Sequence, residues 1–362
     1  MDALRASNLG CYGYKRDTSP NIDFLAKNGA LFLNAFSSNN ATDKSVLSIL
    51  SGRHTLLGDK RDVMLGKEEL NSFFNSGGIL LPEILKKEGY KTYFLKEIYG
   101  WQKKGFDYFY SINDPSKGKG FFDKYQVNYK SRNLFRKIVH HLPKRMGDKI
   151  KARYGRMKSF NASEDAIRII KKSKKDDERF FMWIDYNDTH IPYNPKEFTG
   201  KFESKDKEKS FFEGIRKENY NPLLAEYWKG AFGKEYSIKD IISRYDSAIY
   251  YDDYLIGKII ETLKKEDILE DTIIFFFSDH GESFYEHGIY FDHHGLYDVS
   301  MNFPLIISGN KIPENKKIKG FVQHEDFVPT ILNLLDISYN PDDFDGESLL
   351  PLIKDKKKVR DY

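Results

Sequence analysis

The stretch "YDSAIYYDDYLIGKIIETLKKEDILEDTIIFFFSDHGE" (Tyr245–Glu282) decides the fold. Its first part repeats apolar residues at the spacing of an amphipathic helix, and a short turn follows. The apolar run Ile273–Phe277 is then typical of a fully buried strand. The strand leads directly into the polar sequence Ser278–Glu282. A helix, a buried strand and polar residues at the strand's carboxyl end form the repeating unit of an α/β protein.

The same alternation recurs along the chain. A helix predicted to end at Gly89 precedes a short strand, Phe180–Ile184 is predicted as a buried strand, and "HEDFVPTILNLLDI" (His324–Ile337) as another helix. This pattern predicts an α/β fold with a mostly parallel central sheet covered by helices on both faces.

Two long segments interrupt the alternation. Residues 112–160 and 194–240 are polar, aromatic-rich and weakly periodic, and such insertions usually shape or cover a site. Because neither an internal repeat nor a low-complexity linker is present, we predict one continuous catalytic domain over residues 1–362.

Composition excludes several classes of protein. Hydrophobic residues make up 40% of the 362 residues and charged residues 31%, as in soluble globular proteins. The net charge of +4 comes from interleaved charges of both signs, which argues against a nucleic-acid partner. No apolar run reaches the roughly 18 residues of a membrane span. Cys11 is the only cysteine and the amino-terminal residues lack a signal peptide, but neither fact assigns a compartment.

Polar residues that follow predicted strands are candidates for a site, because ligands of open parallel sheets lie outside the carboxyl ends of strands. Asp279 and His280 follow one such strand, and the segment Asp185–His190 follows another. A carboxylate beside an imidazole suits Mn²⁺, Zn²⁺ or Ca²⁺. Taken alone, the pair is equally read as a loop-capping Asp and a hydrogen-bonded core His.

Several segments, taken together and in order, resemble the sulfatase family of the alkaline-phosphatase superfamily over nearly the whole chain. They are "DALRASNLGCYGYKRDTSPNIDFLAKNGALFLNAFS" (Asp2–Ser37), "SVLSILSGRH" (Ser45–His54), Tyr245–Gly288, "GLYDVSMNFPLIISG" (Gly295–Gly309) and "EDFVPTILNLLDI…DGESLLPLI" (Glu325–Ile353). The resemblance implies the alkaline-phosphatase-like α/β sandwich.

The resemblance also implies a metal site. In the family, an Asp after the first strand, a nucleophile at a helix N-terminus, and an Asp followed by Asn or His hold one divalent metal. The matching positions here are Asp2, Thr42, Asp279 and His280. Thr42 is reached by counting eleven residues back from Arg53, as the family's spacing requires.

Thr42 departs from the family's nucleophile. Sulfatases carry Cys or Ser in "C/S-x-P-S-R", which is converted to formylglycine, whereas this chain reads "TDKSV" (Thr42–Val46) and a Thr cannot form that aldehyde. Phosphoryl-transferring relatives, including phosphodiesterases, lipoteichoic-acid synthase-like enzymes and phosphoethanolamine transferases, pair a Thr nucleophile with an Asp-His metal pair. A divalent cation lowers the pKa of a hydroxyl, and a helix N-terminus favours the developing anion.

These features predict a metal-dependent hydrolase or transferase that acts on a phosphate or phosphodiester group through a covalent Thr intermediate. Two alternatives stay open. One is a sulfatase that acts on sulfated sugars or aryl sulfates through unmodified Thr42, and the other is a catalytically silent member of the fold. The expected substrate is a small-molecule, sugar or lipid-head-group ester.

The metal prediction is one Mn²⁺, Zn²⁺ or Ca²⁺ ion. Ala3 stands where many sulfatases carry a second Asp, and a smaller set of oxygen ligands fits Mn²⁺ or Zn²⁺ better than Ca²⁺. Asp185 is the candidate ligand for a second metal, which we predict to be absent.

The resemblance suggests further site residues. His190 matches the family's "H-x-P-Y" histidine, which contacts the transferred group, although a loop-capping role is the alternative. His293 or His294 falls where relatives carry a Lys or His near the leaving group, and we prefer His294.

Three basic residues are weaker candidates for binding substrate. Lys44 is a substitute for the lost Arg or a solvated side chain, and Arg53 is expected to brace the nucleophile loop. Lys96 lies near the family's "GK-x-H" segment, but Ile98 replaces the companion histidine.

The resemblance raises an expectation about both ends of the sequence. The family has a buried strand before the metal Asp and a small antiparallel subdomain after the last residues here, and we expect both to be missing. Asp2 would then lie on a loose terminus and hold metal poorly.

Overall fold

The structure is a computed structural model that describes residues 1–55, 64–98, 100–111, 144–193, 198, 200–202, 228, 231–232 and 237–355. The chain divides into two compact units. The larger unit comprises Met1–Thr55, Asn187–Gly257 and Glu270–Tyr362, and the smaller comprises Leu56–Tyr186 and Lys258–Leu269. One continuous domain stays a prediction.

Strands and helices alternate as predicted. In chain order they are α1 (Pro20–Lys27), β1 (Gly29–Phe36), α2 (Thr42–Ser51), α3 (Lys67–Asn75), α4 (Leu81–Lys87), β2 (Lys91–Ile98), β3 (Tyr108–Ser111), α5 (Lys144–Asp176), β4 (Phe180–Ile184), α6 (Ile238–Lys265), β5 (Ile274–Phe277), α7 (Asp298–Met301), β6 (Leu305–Ser308), β7 (Lys316–Gln323), α8 (Phe327–Leu334) and α9 (Leu350–Ile353).

The larger unit contains a four-stranded sheet in the order β5-β6-β1-β7. Strand β6 pairs antiparallel with both β5 and β1, whereas β1 pairs parallel with β7. Helix α1 packs against β1 and β6. The interior strands β1 and β6 carry the fully buried side chains Phe32, Leu305, Ile306 and Ile307, each of which contributes about 1.5–3 kcal/mol by its burial.

The smaller unit contains a three-stranded parallel sheet in the order β3-β2-β4. Helix α4 packs on β2, and α5 packs on both β2 and β4. The core between α5 and the sheet includes Leu95, Ala166 and Ile169. Gly89 has a φ of 82° between α4 and β2, which agrees with its predicted role in ending a helix.

The α/β prediction is confirmed, with three corrections. Strand β4 is half-buried along its length rather than buried. The sheet of the larger unit is mixed rather than mostly parallel, because β6 enters it antiparallel. Strand β5 begins at Ile274 and is only partly buried, with Phe276 as its one buried residue. The strand lies at the edge of its sheet, so one flank lacks a strand partner within the described sheet.

Much of the two long insertions lies outside the described residues. This holds for residues 112–143 and for most of 194–236, so their predicted role at a site stays a prediction. Residues 144–160 form the first part of α5. No helix in the described part of the chain is long and apolar enough to span a bilayer.

Asp253 in α6 provides a test of how α1 is held. Its buried carboxylate accepts hydrogen bonds from the backbone N–H of Asn21 (2.9 Å) and Ile22 (2.8 Å) and from the Asn21 side-chain amide (2.8 Å). We expect Asp253→Ala to lower the free energy of unfolding by about 1–3 kcal/mol, because these donors lose their partner. Asp253→Asn keeps one acceptor oxygen and should cost less.

The same residue gives a pH test. Burial raises the pKa of Asp253 to about 6, so between about pH 4 and 6 the folded chain binds a proton that the unfolded chain has lost. The contribution of this group to stability therefore falls as the pH rises through that window. Urea unfolding at several pH values should show this fall in the wild type and not in Asp253→Asn. An equal pH dependence of the two proteins would contradict the assignment.

Candidate active site

The segment Met1–Leu4 lies against the end of β5. The Met1 amino nitrogen donates to the Phe277 carbonyl (2.8 Å), and the Leu4 N–H donates to Ser278 Oγ (2.9 Å). Ser278 Oγ in turn donates to the Met1 carbonyl (2.6 Å). Asp2 is buried. The expectation that Asp2 lies on a loose terminus is therefore wrong.

Two further side chains fix Asp2. Asn187 Nδ2 donates to Asp2 Oδ2 (2.8 Å), and Thr189 Oγ1 donates to the Asp2 carbonyl (2.6 Å). The other carboxylate oxygen, Oδ1, is buried and has no hydrogen-bond partner among the described residues. This oxygen is available to a ligand.

Asp279 and His280 are oriented by backbone groups. Asp279 Oδ1 accepts from the N–H of Ala3 (3.2 Å) and of His280 (3.0 Å). His280 Nδ1 lies 2.8 Å from the Gly281 carbonyl, which can only accept, so Nδ1 carries the proton. The lone pair of Nε2 is then free to bind a cation.

Buried residues behind the site fix the backbone of this segment. Ser37 Oγ donates to the Asp279 carbonyl (2.9 Å), and His324 Nε2 donates to the Ser278 carbonyl (3.0 Å). Complete burial lowers the pKa of His324 to about 4, so its ring is neutral at physiological pH.

Asp2, Asp279 and His280 form a cluster that can hold a metal. One ligand atom from each residue lies within 4.8 Å of the others, and all three residues are buried. His280 Nε2 is 3.8 Å from Asp2 Oδ1 and 3.6 Å from Asp279 Oδ2. The carboxylates of Asp2 and Asp279 and the imidazole of His280 fit one divalent cation.

Thr42 stands beside this cluster. It is the first residue of α2, and its Oγ1 lies 3.3 Å from His280 Nε2. The helix N-terminus directs backbone N–H groups and the positive end of the helix dipole toward this position. The four residues predicted to hold the metal are thus brought together.

The His293 ring lies beside the ring of His280, and the His190 ring lies beside that of His293. The His293 ring centroid is 4.2 Å from that of His280 and 5.9 Å from that of His190. Burial acts to lower the pKa of His190, but Asp2, the hydrogen bond to the Ile191 carbonyl and Glu282 together outweigh burial and raise the pKa.

Glu282 controls the charge of His293. Its carboxylate is buried, Oε2 accepts from Tyr193 Oη (2.9 Å), and Oε1 lies 3.8 Å from His293 Nδ1. Burial lowers the pKa of His293, but Glu282, with Asp292 and Asp2, outweighs this effect and raises it to about 9. At neutral pH His293 is an imidazolium.

The structure places His293 at the site in preference to His294, so the predicted preference for His294 is wrong. The His294 side chain is 69% exposed, with Nδ1 3.7 Å from Asp292 Oδ1, while that of His293 is 17% exposed. Asn40 Nδ2 donates to the carbonyls of His293 (3.0 Å) and Gly295 (3.2 Å), which holds this part of the loop near Thr42.

The remaining candidates are Arg53, Lys44, Lys96 and Asp185. Arg53 Nε donates to the Asp343 carbonyl (2.7 Å) in a different loop, so its predicted bracing of the nucleophile loop stays a prediction. Lys44 is half-buried in the first turn of α2. Lys96 is in β2 of the smaller unit, and its side chain lies outside the described part. Asp185 is not a member of the metal-capable cluster found among the described residues.

Sequence reasoning missed two site residues. Asn187 lies within the predicted segment Asp185–His190, but nothing in the sequence marks it as a partner of Asp2. Glu282 follows "DHG" directly, yet its burial beside His293 depends on a turn that closes ten residues later. The sequence marks Asn187 and Glu282 only as polar residues near predicted site residues. Polar residues in such positions are too common to be selected on that ground alone.

The fold and the site define an α/β protein with a buried candidate metal centre next to a helix N-terminus. The family model described as Sulfatase matches residues 1–337, and the chain belongs to the sulfatase family.

Curated relatives share this family. Iduronate 2-sulfatase of Mus musculus is 28% identical over 332 residues, covering 85% of this chain and 58% of the relative. Arylsulfatase K of Canis lupus familiaris is 25% identical over 351 residues (92% and 61%), and the ulvan-active sulfatase of Formosa agariphila is 25% identical over 365 residues (98% and 63%). The chain spans about three fifths of the length of these relatives.

Solved structures confirm the predicted fold. A phosphonate monoester hydrolase of Agrobacterium radiobacter aligns with a TM-score of 0.68 at 18% identity, covering 99% of this chain and 76% of that one. A protein in the alkaline phosphatase superfamily from Vibrio parahaemolyticus aligns with a TM-score of 0.57 at 19% identity (96% and 67%). At these identities the likeness concerns the fold alone.

Asn187 offers a test of the metal centre that leaves every proposed ligand intact. We expect Asn187→Ala to weaken Mn²⁺ or Zn²⁺ binding about 10- to 100-fold, because Asp2 loses the hydrogen bond that orients it. Titration calorimetry on protein first stripped with chelator measures the affinity. Asn34→Ala is the matched control, since the Asn34 side chain donates to the Lys319 carbonyl on an exposed surface. Equal affinities of the two variants would refute a metal ligand at Asp2.

Proposed function

We propose that this chain is a divalent-metal-dependent hydrolase or transferase of phosphoric esters that uses Thr42 as its nucleophile. The observation that carries the proposal is the 3.3 Å approach of Thr42 Oγ1 to His280 Nε2, within a buried cluster with Asp2 and Asp279. Asp2, Asp279, His280 and Thr42 would hold the cation. When bound, it would lower the pKa of the Thr42 hydroxyl and offset the charge of the transferred group.

In the first step the Thr42 oxygen attacks phosphorus. The Oγ1–P bond forms, the bond from phosphorus to the leaving oxygen breaks, and the hydroxyl proton passes to solvent. The N-terminus of α2 stabilises the developing negative charge. The product of this step is a phosphothreonine at position 42.

His293 is the acid for the leaving group in this scheme. Its imidazolium form is favoured because Glu282 lies 3.8 Å from Nδ1, so it can protonate the leaving oxygen. The neutral imidazole then takes a proton from water or from an acceptor alcohol as that nucleophile attacks the phosphothreonine. The threonine oxygen leaves and is reprotonated from solvent. His190, buried nearby, is the candidate contact for the transferred group.

A second function is favoured by the relatives. Iduronate 2-sulfatase, arylsulfatase K and the ulvan-active sulfatase are sulfatases by name, which supports sulfuric ester hydrolysis by unmodified Thr42. Sugar esters are then the substrate class to test first. We rank the phosphoric ester above it because Thr42 cannot give the formylglycine of sulfatases, while a hydroxyl attacks phosphorus directly.

The covalent intermediate is testable with Thr42 variants. We expect Thr42→Ala to lower kcat at least about a thousandfold, because the nucleophile is lost, while Thr42→Ser keeps a hydroxyl and part of the activity. Acid quenching during turnover of para-nitrophenyl phosphate, bis(para-nitrophenyl) phosphate or para-nitrophenyl sulfate, followed by peptide mass analysis, identifies the group carried by residue 42. Unchanged turnover in Thr42→Ala would end the proposal.

The quenched adduct also separates the functions. A phosphoryl adduct supports phosphoric ester transfer, and a sulfuryl adduct supports the sulfatase function in its place. A protein that has no bound cation by metal analysis and turns over none of these substrates is the catalytically silent member.

His293 and His294 provide a matched pair for the leaving-group acid. We expect His293→Ala to lower kcat/KM, which reports the first step, by about 10²–10⁴-fold for alkyl esters, whose leaving oxygen needs a proton. The loss in kcat/KM should be much smaller for para-nitrophenyl esters, whose leaving group needs none. His294→Ala should alter neither, since its side chain is largely exposed. Rates for a series of leaving groups measure the difference. Equal losses for both ester classes in His293→Ala would exclude it as the acid.

A further inference from the structure

His293 is held by a short hairpin, which we call the His293 hairpin (residues 283–292). The Ser283 N–H donates to the Asp292 carbonyl (2.8 Å), the Asp292 N–H returns to the Ser283 carbonyl (3.2 Å), and the Phe291 N–H donates to the Phe284 carbonyl (3.3 Å). His293 follows this pairing directly. Its position therefore depends on the shape of the hairpin.

Glu286 organises the interior of the His293 hairpin. Its Oε2 accepts from the N–H of Phe284 (2.8 Å) and of Tyr285 (3.2 Å) and from Ser283 Oγ (3.3 Å). Three donors on consecutive residues converge on one carboxylate oxygen. Loss of this carboxylate would release the turn and with it the base of the hairpin.

Arg5 connects Glu286 to the amino-terminal segment. Arg5 Nη2 donates to Glu286 Oε1 (2.9 Å), and its guanidinium lies 4.2 Å from the centre of the Phe284 ring. The Arg5 N–H donates to Tyr245 Oη (2.8 Å), which donates to the Ala3 carbonyl (2.7 Å). The segment next to Asp2 is thus tied to the hairpin.

We propose that Arg5 and Glu286 are positioning residues that fix His293 relative to the metal ligand Asp2, a proposal that rests on the function proposed for His293 above. Neither residue touches the reacting atoms. Arg5 is buried and stands three residues after Asp2, while Glu286 shapes the His293 hairpin, which His293 directly follows. A planar guanidinium that bonds a carboxylate and stacks on a ring restrains orientation more strongly than a lysine ammonium.

The first test is independent of catalysis. In metal-free protein labelled with ¹⁵N-histidine, the His293 imidazole signals are assigned by their loss in His293→Ala. We expect Arg5→Lys to shift these signals. Arg16→Lys should leave them unchanged, because Arg16 Nη1 binds the buried Asp246 carboxylate (2.7 Å) outside the hairpin. Unchanged His293 signals in Arg5→Lys would overturn the proposal.

The second test is a double-mutant cycle on an alkyl phosphodiester. We expect Arg5→Lys to lower kcat about tenfold in the wild-type background and less than twofold in the His293→Ala background, because residues that act as a unit are non-additive. Where His293→Ala shows the leaving-group dependence, equal losses in both backgrounds would mark a general structural defect and overturn the proposal. Should Arg5→Lys fail to fold by thermal unfolding, Glu286→Gln, which removes the charge and keeps the shape, takes its place under the same criteria.

The two proposals fail in different ways. If Arg5→Lys shifts the His293 signals while His293→Ala shows no dependence on the leaving group, the positioning inference stands and the catalytic role of His293 falls. If His293→Ala shows the leaving-group dependence while Arg5→Lys leaves the His293 signals unchanged, the catalytic role of His293 stands and the positioning inference falls.

Discussion

The burial of two carboxylates, Asp2 and Asp279, beside one imidazole is the constraint on which this site depends. Removing an ionised carboxylate from water costs several kcal/mol unless hydrogen bonds or an opposite charge compensate. Asp279 Oδ1 has backbone donors and Asp2 Oδ2 has Asn187, but Asp2 Oδ1 has no such donor among the described residues. A cation at this point would supply the missing charge and would account for the gathering of Thr42 and the site histidines there.

The sequence predicted the local parts of this arrangement better than the distant ones. Asp279 and His280 follow from a strand-end pattern that any α/β sheet would use. Asp2 and Thr42 are far from them along the chain, so only the order of family segments could join them. Pairing within the larger sheet was missed because an alternation of helices and strands contains no information on strand direction, and β6 enters antiparallel.

The choice between His293 and His294 could not be made from sequence for a related reason. Neighbouring residues in a loop differ in direction by the local torsions alone, and those torsions depend here on the pairing of Ser283 with Asp292 and on the bonds from Asn40. Burial then separates the two residues chemically: one ring contacts His280 and has its charge set by Glu282, and the other faces solvent.

In the proposed reaction, the role of Thr42 gives the difference between His293 and His294 a catalytic consequence. A threonine has a single oxygen, so a phosphoryl or sulfuryl group that it accepts must be removed by a second nucleophile. Both halves of the reaction then need a proton to move at the same face of the site, first to the leaving group and later from the entering one. His293 is suited to both movements only if its ring is held at a fixed distance from the metal ligands. A single ion pair is weak evidence for stability in itself, so the Arg5–Glu286 pair is better explained by the orientation that it imposes on the His293 hairpin.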